Sequence, residues 1–312
     1  MSTVALEVRE TGLSCFLHAE TLDVEPASVG DTIADLFATA NPEMDARVLV
    51  DGKLRGYRNP EMSAGGALMH PLPAGAGFVE MVYVPPGTFV RGSDTSRMAD
   101  ERPQALITIT RGYFIAKYPT LVREFRAFVD ATGYVTTAEK KRGERTWRSP
   151  RFDQADNHPV VCVSWHDAVA FCEWAGLRLP TDAEWEYAAR GTDGRTYPWG
   201  EEAPDDTRLV WSGNNRRRGT APVGEHPAGA SPFGIHDIAG NVWEWSADWY
   251  DENGYGAETV DPQGPTQGQY RSLRGGCWGD YHSDVVRAAS RGRYAPVVVI
   301  VGIGFRSARG EM

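Results

Sequence analysis

Four cysteines and seven histidines are the side chains of this sequence best suited to nucleophilic, redox or metal chemistry, and their spacing limits what they can do. Cys15, Cys162, Cys172 and Cys277 are spread out with no C-x-x-C pair, so they make neither a disulfide framework nor a zinc site. Cys162 and Cys172 are near enough in sequence to pair. One falls in an apolar stretch expected as a strand and the other in an expected helix, which favours two buried thiols. The histidines are His18, His70, His158, His166, His226, His236 and His282. His158 and His166 flank an expected strand and helix start, and rings bonded to nearby backbone are the expected state of all seven. The triplet Arg216-Arg217-Arg218 has the charge to clamp an anion, but charge runs in loops are usually solvated, and a solvated turn is expected.

The elements that must position any site converge on one stretch, RGGCWGDYHSDVVRAASRGRYAPVVVIVGIGFRSAR, from Arg274 to Arg309. Its ends read as rigid turns. Its middle has no steady period of two or of 3.6, the signature of a surface loop held by a scaffold, where binding residues usually sit. Ahead of it, residues 4–10 and 13–24 alternate as two strands joined at Gly12, and Ser28 or Asp31 can cap a short helix through Ile33, Leu36 and Phe37. ARVLVDGKLRGY reads as a hairpin turning at Asp51-Gly52. These make a small α+β unit over 1–76 that resembles a β-grasp, bounded by PLPAGAG at 71–77. The remaining domain, 77–312, begins FVEMVYVPPGTFVRGS, two strands around a Pro-Pro-Gly turn, and continues with a strand in ALITITRGYFIAKYPT. A helix capped at Thr120 buries Leu121, Phe125, Phe128 and Val129 and ends at Gly133. HPVVCV reads as a strand before a helix capped by Ser164 with Asp167. Thr181-x-x-Glu184 is a second capping box, with Gly191 as the stop. From YPWG through WEWSADWY the chain reads as turn and irregular structure.

Composition narrows the class. With 41% hydrophobic and 11% aromatic residues in 312, the chain can build a core, while 34 glycines and 20 prolines favour a loop-rich fold over a helix bundle. The 10 tryptophans are expected to plug gaps between irregular segments. A formal charge of −10 argues against nucleic acid bound through a general basic field. No segment is long and apolar enough to insert into a membrane, and no signal peptide is read at the start, so the expectation is a chain that is cytoplasmic as synthesised.

Taken in order, MVYVPPGTFVRGS, HPVVCVSWHDAVAFCEWAGLRLPTDAEWEYAAR, PWG, GTAPVG, FGIHDIAGNVWEWSADWY, RGGCW and IGFR closely resemble the sulfatase-modifying-factor family, whose namesake is the formylglycine-generating enzyme. The resemblance covers about 78–309 and implies an α+β chain with a C-type lectin-like fold. The family's enzyme works through a cysteine pair that binds copper and activates oxygen. Aligned on RGG and GFR, this sequence has Asp280 at the first cysteine position and Ser283–Val286 around the second, while Cys277 stands where the family has serine. Oxidase chemistry is therefore not expected. The related sulfoxide synthases hold iron with a His-x-x-x-His-x-Glu run, and that spacing does not occur here either.

Non-enzymatic members of this fold include the variable proteins of diversity-generating retroelements, in which asparagine codons are mutated at adenines. Such mutation does not reach Trp, Gln, Met, Lys or Glu, and none of these five occurs between 279 and 302. Arg287, Ala288, Ala289, Arg291, Arg293 and Pro296 stand where scaffold residues are expected. The reading is a non-catalytic binder of a protein ligand, with a variable region at about 277–303. Its ligand-binding residues would be Asp280, Tyr281, His282, Ser283, Asp284, Ser290, Gly292, Tyr294, Val297, Val298, Val299, Ile300 and Val301. Tyr281 and Tyr294 are the best anchors, and the N-terminal unit is free to tether the scaffold to a virion or cell surface through a partner. The alternative is an oxidoreductase of the same fold with an unrecognised metal site. The resemblance also implies a structural calcium held by Asp237, the carbonyls of Gly240 and Val242, and Glu244, a donor set that suits a hard cation. Trp243 and Trp245 are expected in the core.

Overall fold

The computed structural model describes residues 65–213, 218–252 and 256–310, together with the backbone of four strands nearer the N-terminus. The chain divides into two units, residues 1–63 with 71–78, and residues 64–70 with 79–312.

In the first unit β1 (Ser2–Glu10), β2 (Leu13–Leu22), β3 (Asp45–Val50) and β4 (Lys53–Arg58) form a sheet of order β2-β1-β3-β4. Glu10 faces Leu13 and Val50 faces Lys53, the partnering of the two expected hairpins. β1 and β3 run antiparallel. A β-grasp needs a parallel pair joined by a helical crossover, so that part of the expectation is corrected. The helix expected through Ile33, Leu36 and Phe37 lies outside the described residues.

The second unit contains β5 (Ala67–Pro71), β6 (Phe78–Val84), β7 (Gly87–Arg91), β8 (Ala105–Ile109) and β9 (Tyr113–Ala116). Helices α1 (Val122–Thr132), α2 (Thr137–Lys140), α3 (Trp165–Ala175) and α4 (Asp182–Arg190) follow. After a long irregular stretch come β10 (Trp243–Trp249), β11 (Arg271–Arg274), β12 (Gly292–Tyr294), β13 (Ile303–Phe305) and β14 (Ala308–Gly310). Two four-stranded sheets, β14-β9-β6-β5 and β12-β11-β10-β13, and the β7–β8 hairpin make up its strand structure among the described residues. None of the helices described is long and apolar enough to cross a membrane. Residues 64–70 group with the second unit, residues 65 and 66 bonding Tyr83, while 71–78, which contain the expected boundary, group with the first.

Local chemistry explains most of these elements. Ser164 Oγ accepts the Asp167 N–H while Asp167 accepts the Ser164 N–H, and Thr181 and Glu184 do the same for α4. Gly133 and Gly176 end α1 and α3 in the left-handed conformation. The first cap sits one residue later than expected, at Leu121, whose N–H is bonded by Glu124. ALITITRGYFIAKYPT makes two strands rather than one, β8 pairing with β7 and β9 with β6 and β14, and the turn between them includes Gly112, which passes too close to the Tyr83 hydroxyl for any side chain. HPVVCV is not a strand: Val160 bonds Thr120, and Cys162 turns to φ 60°, which breaks the extended backbone, and bonds Ile300. WEWSADW, read as irregular, is the strand β10, paired antiparallel with β11 and parallel with β13. Phe125, Phe128, Phe171 and Phe305 pack α1 and α3 onto β13 with ring centroids 5.4–6.4 Å apart.

Two buried guanidiniums tie the unit together. Arg306 pairs bidentately with Glu244, Nε to Oε2 at 2.6 Å and Nη2 to Oε1 at 2.7 Å, and also donates to the carbonyls of Ala116 and His236. Removing one member of a fully buried pair leaves an uncompensated charge, which typically costs about 3–5 kcal/mol. Arg306→Met should lower the unfolding free energy by that order in urea titration, and a loss below about 1 kcal/mol would show that the pair is not structural.

Candidate functional site

The segment from Gly275 to Gly302 is held at both ends and at intervals between. At its start Arg274, fully buried, donates from Nε to Asp182 Oδ1 at 2.8 Å and from Nη2 to Asp182 Oδ2 at 2.5 Å and Glu186 Oε2 at 2.9 Å. Its Nη1 reaches forward to the carbonyls of Ala288 and Ser290, both at 3.2 Å. Burial by itself would raise the Asp182 pKa, but the Arg274 and Arg291 guanidiniums hold it below the ordinary carboxylate range. Asp182 also accepts the Ser272 hydroxyl.

The interior is pinned by residues that the sequence marks as scaffold. Arg287 makes a bidentate pair with buried Glu101, at 2.7 and 2.8 Å. Arg291 donates to the carbonyls of Asp100 and Asp251 and lies 4.6 Å over the Tyr250 ring. Ala288 and Ala289 are buried, and the Pro296 carbonyl accepts the Trp165 N–H at 3.1 Å. Arg293 donates to Tyr250 Oη at 3.2 Å. Sequence reading missed the strap from Ser93 to Arg102 that supplies Glu101 and Asp100. An isolated glutamate in a loop carries no signal of the arginine it will meet 186 residues later.

The residues expected to bind ligand fall into three groups. Tyr281 is 67% exposed, Tyr294 44% and Val297 45%, and His282, Ser283 and Asp284 also face outward. The Tyr281 and His282 rings are 4.3 Å apart. Gly292, Val298, Val299, Ile300 and Val301 are half-buried, with Val299 and Val301 packed, like Phe152, against Val161, Cys162 and Val242. The apolar run is therefore a lining with one outward residue, Val297, rather than an open patch. Ser290 is corrected: it is buried, 5% exposed, with its carbonyl on Arg274. Asp280 is half-buried and closes the turn, its Oδ2 accepting the Cys277 N–H at 2.8 Å and its carbonyl the Ser212 N–H at 2.8 Å.

Around the expected calcium set, Glu244 is engaged by Arg306 and by the Trp185 indole N–H at 2.6 Å. Asp237 Oδ2 accepts the Gly224 N–H at 2.7 Å, while its Oδ1 has only a 3.5 Å contact to Asn241 Nδ2. Burial raises the pKa of Asp237, opposed by that backbone bond and by Arg306. An enclosed carboxylate with one weakly satisfied oxygen fits a cation, whereas Glu244 is already neutralised. Trp245 is buried as expected, and Trp243 is half-buried beneath Gly292. Arg216 and Arg217 lie outside the described residues, and Arg218 is exposed.

No thiol described here is poised for chemistry. Cys162 and Cys172 are free and buried. Burial, with the Asp280 carboxylate, pushes the Cys277 thiol up to about 12.

Comparison with known proteins matches residues 69–311 to the family described as Sulfatase-modifying factor enzyme 1-like domain. The chain is 33% identical over 303 residues to formylglycine-generating enzyme of Mus musculus, covering 81% of this chain and 80% of that one. Among solved structures it is similar to PvdO from Pseudomonas aeruginosa, with TM-score 0.69, 27% identity, and 80% and 99% of the two chains covered. Treponema denticola variable protein 1 shares the fold at TM-score 0.61 and 21% identity, over 79% and 99%.

A thiol with a pKa near 12 is about a thousandfold poorer in thiolate at pH 8 than one near 9. Iodoacetamide should therefore alkylate Cys277 in the folded chain about a thousandfold more slowly than free cysteine, by mass spectrometry of the tryptic peptide. A rate within tenfold of free cysteine would show that burial and Asp280 do not hold the thiol protonated.

Proposed function

This chain belongs to the sulfatase-modifying factor enzyme 1-like family, and from that premise we propose that it binds a protein ligand through residues 279–302 and carries out no oxidation there. The observation that carries the reading is the alternation of anchored and outward residues. Arg287, Ala288, Ala289, Arg291 and Pro296 are fixed by buried contacts or backbone bonds, while Tyr281, His282, Tyr294 and Val297 point out, as do Ser283 and Asp284, of which Asp284 lies 3.7 Å from Arg287. A framework indifferent to its outward side chains suits diversification by a retroelement, and the missing Trp, Gln, Met, Lys and Glu fit adenine mutation of asparagine codons. Tyr281 and Tyr294 supply large contact area at small rotamer cost, so an epitope that is partly apolar is the best match. Asp280 and Ser283–Val286 stand where the family's enzyme resemblance calls for cysteines, and the nearby Cys277 is held as a thiol.

The second reading, an oxidoreductase, is favoured by the 33% identity to the mouse enzyme. It predicts oxygen consumption by the copper-supplemented chain with a cysteine-containing peptide, whereas the binding reading predicts the rate of buffer alone. The binding reading further expects, beside the gene, a near-copy of codons 279–302 with adenines at the codons for outward residues. Turnover with copper reverses the proposal, and lack of the near-copy removes the retroelement from it.

Within the same reading we propose a structural calcium at Asp237 with the carbonyls of Gly240 and Val242, Glu244 serving mainly as the partner of Arg306. A ligand present at about a hundred times its Kd adds about 2.7 kcal/mol of stability. Calcium should then raise the melting temperature by several degrees in the native chain and not in Asp237→Asn. An unchanged melting temperature at millimolar calcium rules the site out.

A further inference from the structure

We infer that Arg271, held between the Trp165 and Trp249 indoles, is a fixed contact point for an acidic side chain of the protein ligand, beside the loop's own outward residues Tyr294 and Val297. The inference rests on the binding reading above and names the chemistry of the ligand. The Arg271 guanidinium carbon lies 3.8 Å from the Trp165 ring centroid and 3.6 Å from that of Trp249. With both flanks covered, a partner can approach only the guanidinium edge, and a carboxylate is the group whose planar pair of acceptors matches that edge. Register brings the stack to the loop. Tyr294 on β12 faces Arg271 on β11, which faces Trp249 on β10, so the three side chains stand on one side of the sheet. Trp165 joins from α3, its N–H donating to the carbonyl of Pro296, the residue before Val297.

Charge sets the sign of the partner. Arg271 is half-buried and makes no ion pair among the described residues. Its Nη1 donates to the Ala247 carbonyl, a neutral acceptor, at 2.6 Å. Burial draws its pKa down to about 10, opposed by Asp248. That carboxyl is itself buried, and its own pKa is raised by burial and by neighbouring Asp182, so it brings little negative charge to the guanidinium. Lys141 adds a second positive charge beside the loop, its Nζ donating to the Val297 carbonyl at 3.1 Å. The strip is thus cationic on a chain whose formal charge is −10. A guanidinium drawn part-way out of water without a counter-ion is unfavourable, and a ligand carboxylate supplies the missing one. Trp, Tyr and Arg are also the side chains that most often carry the energy of an interface. Trp165, Trp249 and Arg271 lie outside 279–302, so diversification of the loop leaves this contact unchanged and every loop variant shares its demand for an acid.

The test uses the full-length chain, ¹⁵N-labelled at tryptophan, with the Trp165 and Trp249 indole resonances assigned by their loss in Trp165→Phe and Trp249→Phe. The probes are acetyl-Leu-Glu-Leu-amide, its glutamine counterpart and its lysine counterpart, blocked so that only the central side chain carries charge. The glutamate peptide should move both indole resonances and saturate in roughly the millimolar range expected for so few contacts. The glutamine peptide should bind about tenfold more weakly, the value of one charge-assisted bond, and the lysine peptide should leave both resonances unmoved. In Arg271→Gln the preference for glutamate should vanish. Unmoved indoles with the glutamate peptide, equal affinity for glutamate and either counterpart, or a preference kept in Arg271→Gln overturns the inference. If Arg271→Gln does not fold, Arg271→Lys replaces it, keeping the charge without the planar fork, and should lose most of the preference. An undiminished preference there overturns the inference as well. Failure here leaves the loop's own binding standing, whereas copper-dependent oxygen consumption, which reverses the binding reading, leaves the peptide result unchanged.

Discussion

The second unit depends on a charge that water never reaches. Arg274 is fully buried, and its three nitrogens satisfy Asp182, Glu186 and the carbonyls of Ala288 and Ser290. The two acids sit one helical turn apart on α4, so the capping box that starts that helix also aims the carboxylates that receive the arginine. Glu186 in turn binds Arg190, which donates to the carbonyls of Val90 and Gly92. One helix thereby sets the position of the β7 end and of the loop after β11. Such a network is expensive to assemble and severe to break, because each ion depends on the others for compensation.

Much of this was legible in the sequence where the interaction is local. Ser164 with Asp167, Thr181 with Glu184, and the glycines at 133, 176 and 191 act within a turn of their own position, and their helices form where expected. The alternation of β1, β2 and β6 is likewise a local pattern. What escaped reading is set by partners far along the chain. HPVVCV has the composition of a strand, yet its backbone groups meet Thr120 and Ile300, which no periodicity encodes. WEWSADW alternates apolar and polar residues but lies in a Gly- and Trp-rich stretch that reads as irregular, and its neighbours, β11 and β13, come later in the chain.

The site was legible in outline and not in depth. The firm ends and unpatterned middle of Arg274–Arg309 located a presented loop, and the residues marked as scaffold are anchored. Burial within the loop was not legible. Ser290 is polar and sits among small residues, yet it lies beneath the surface because Arg274 needs its carbonyl. Val299 and Val301 are half covered because Val161, Cys162 and Val242, far back in the chain, lie against them.

The order in which the last strands pair has a consequence for gene expression. β13 completes the sheet of β10, and β14 joins that of β9, with Arg306 between them neutralising Glu244. A reading-frame slip or premature stop anywhere upstream of Ile303 would leave two sheet edges bare and a buried glutamate without its counter-ion. Truncated translation products would then be open to proteolysis, so that only chains translated through β14 keep both sheets closed.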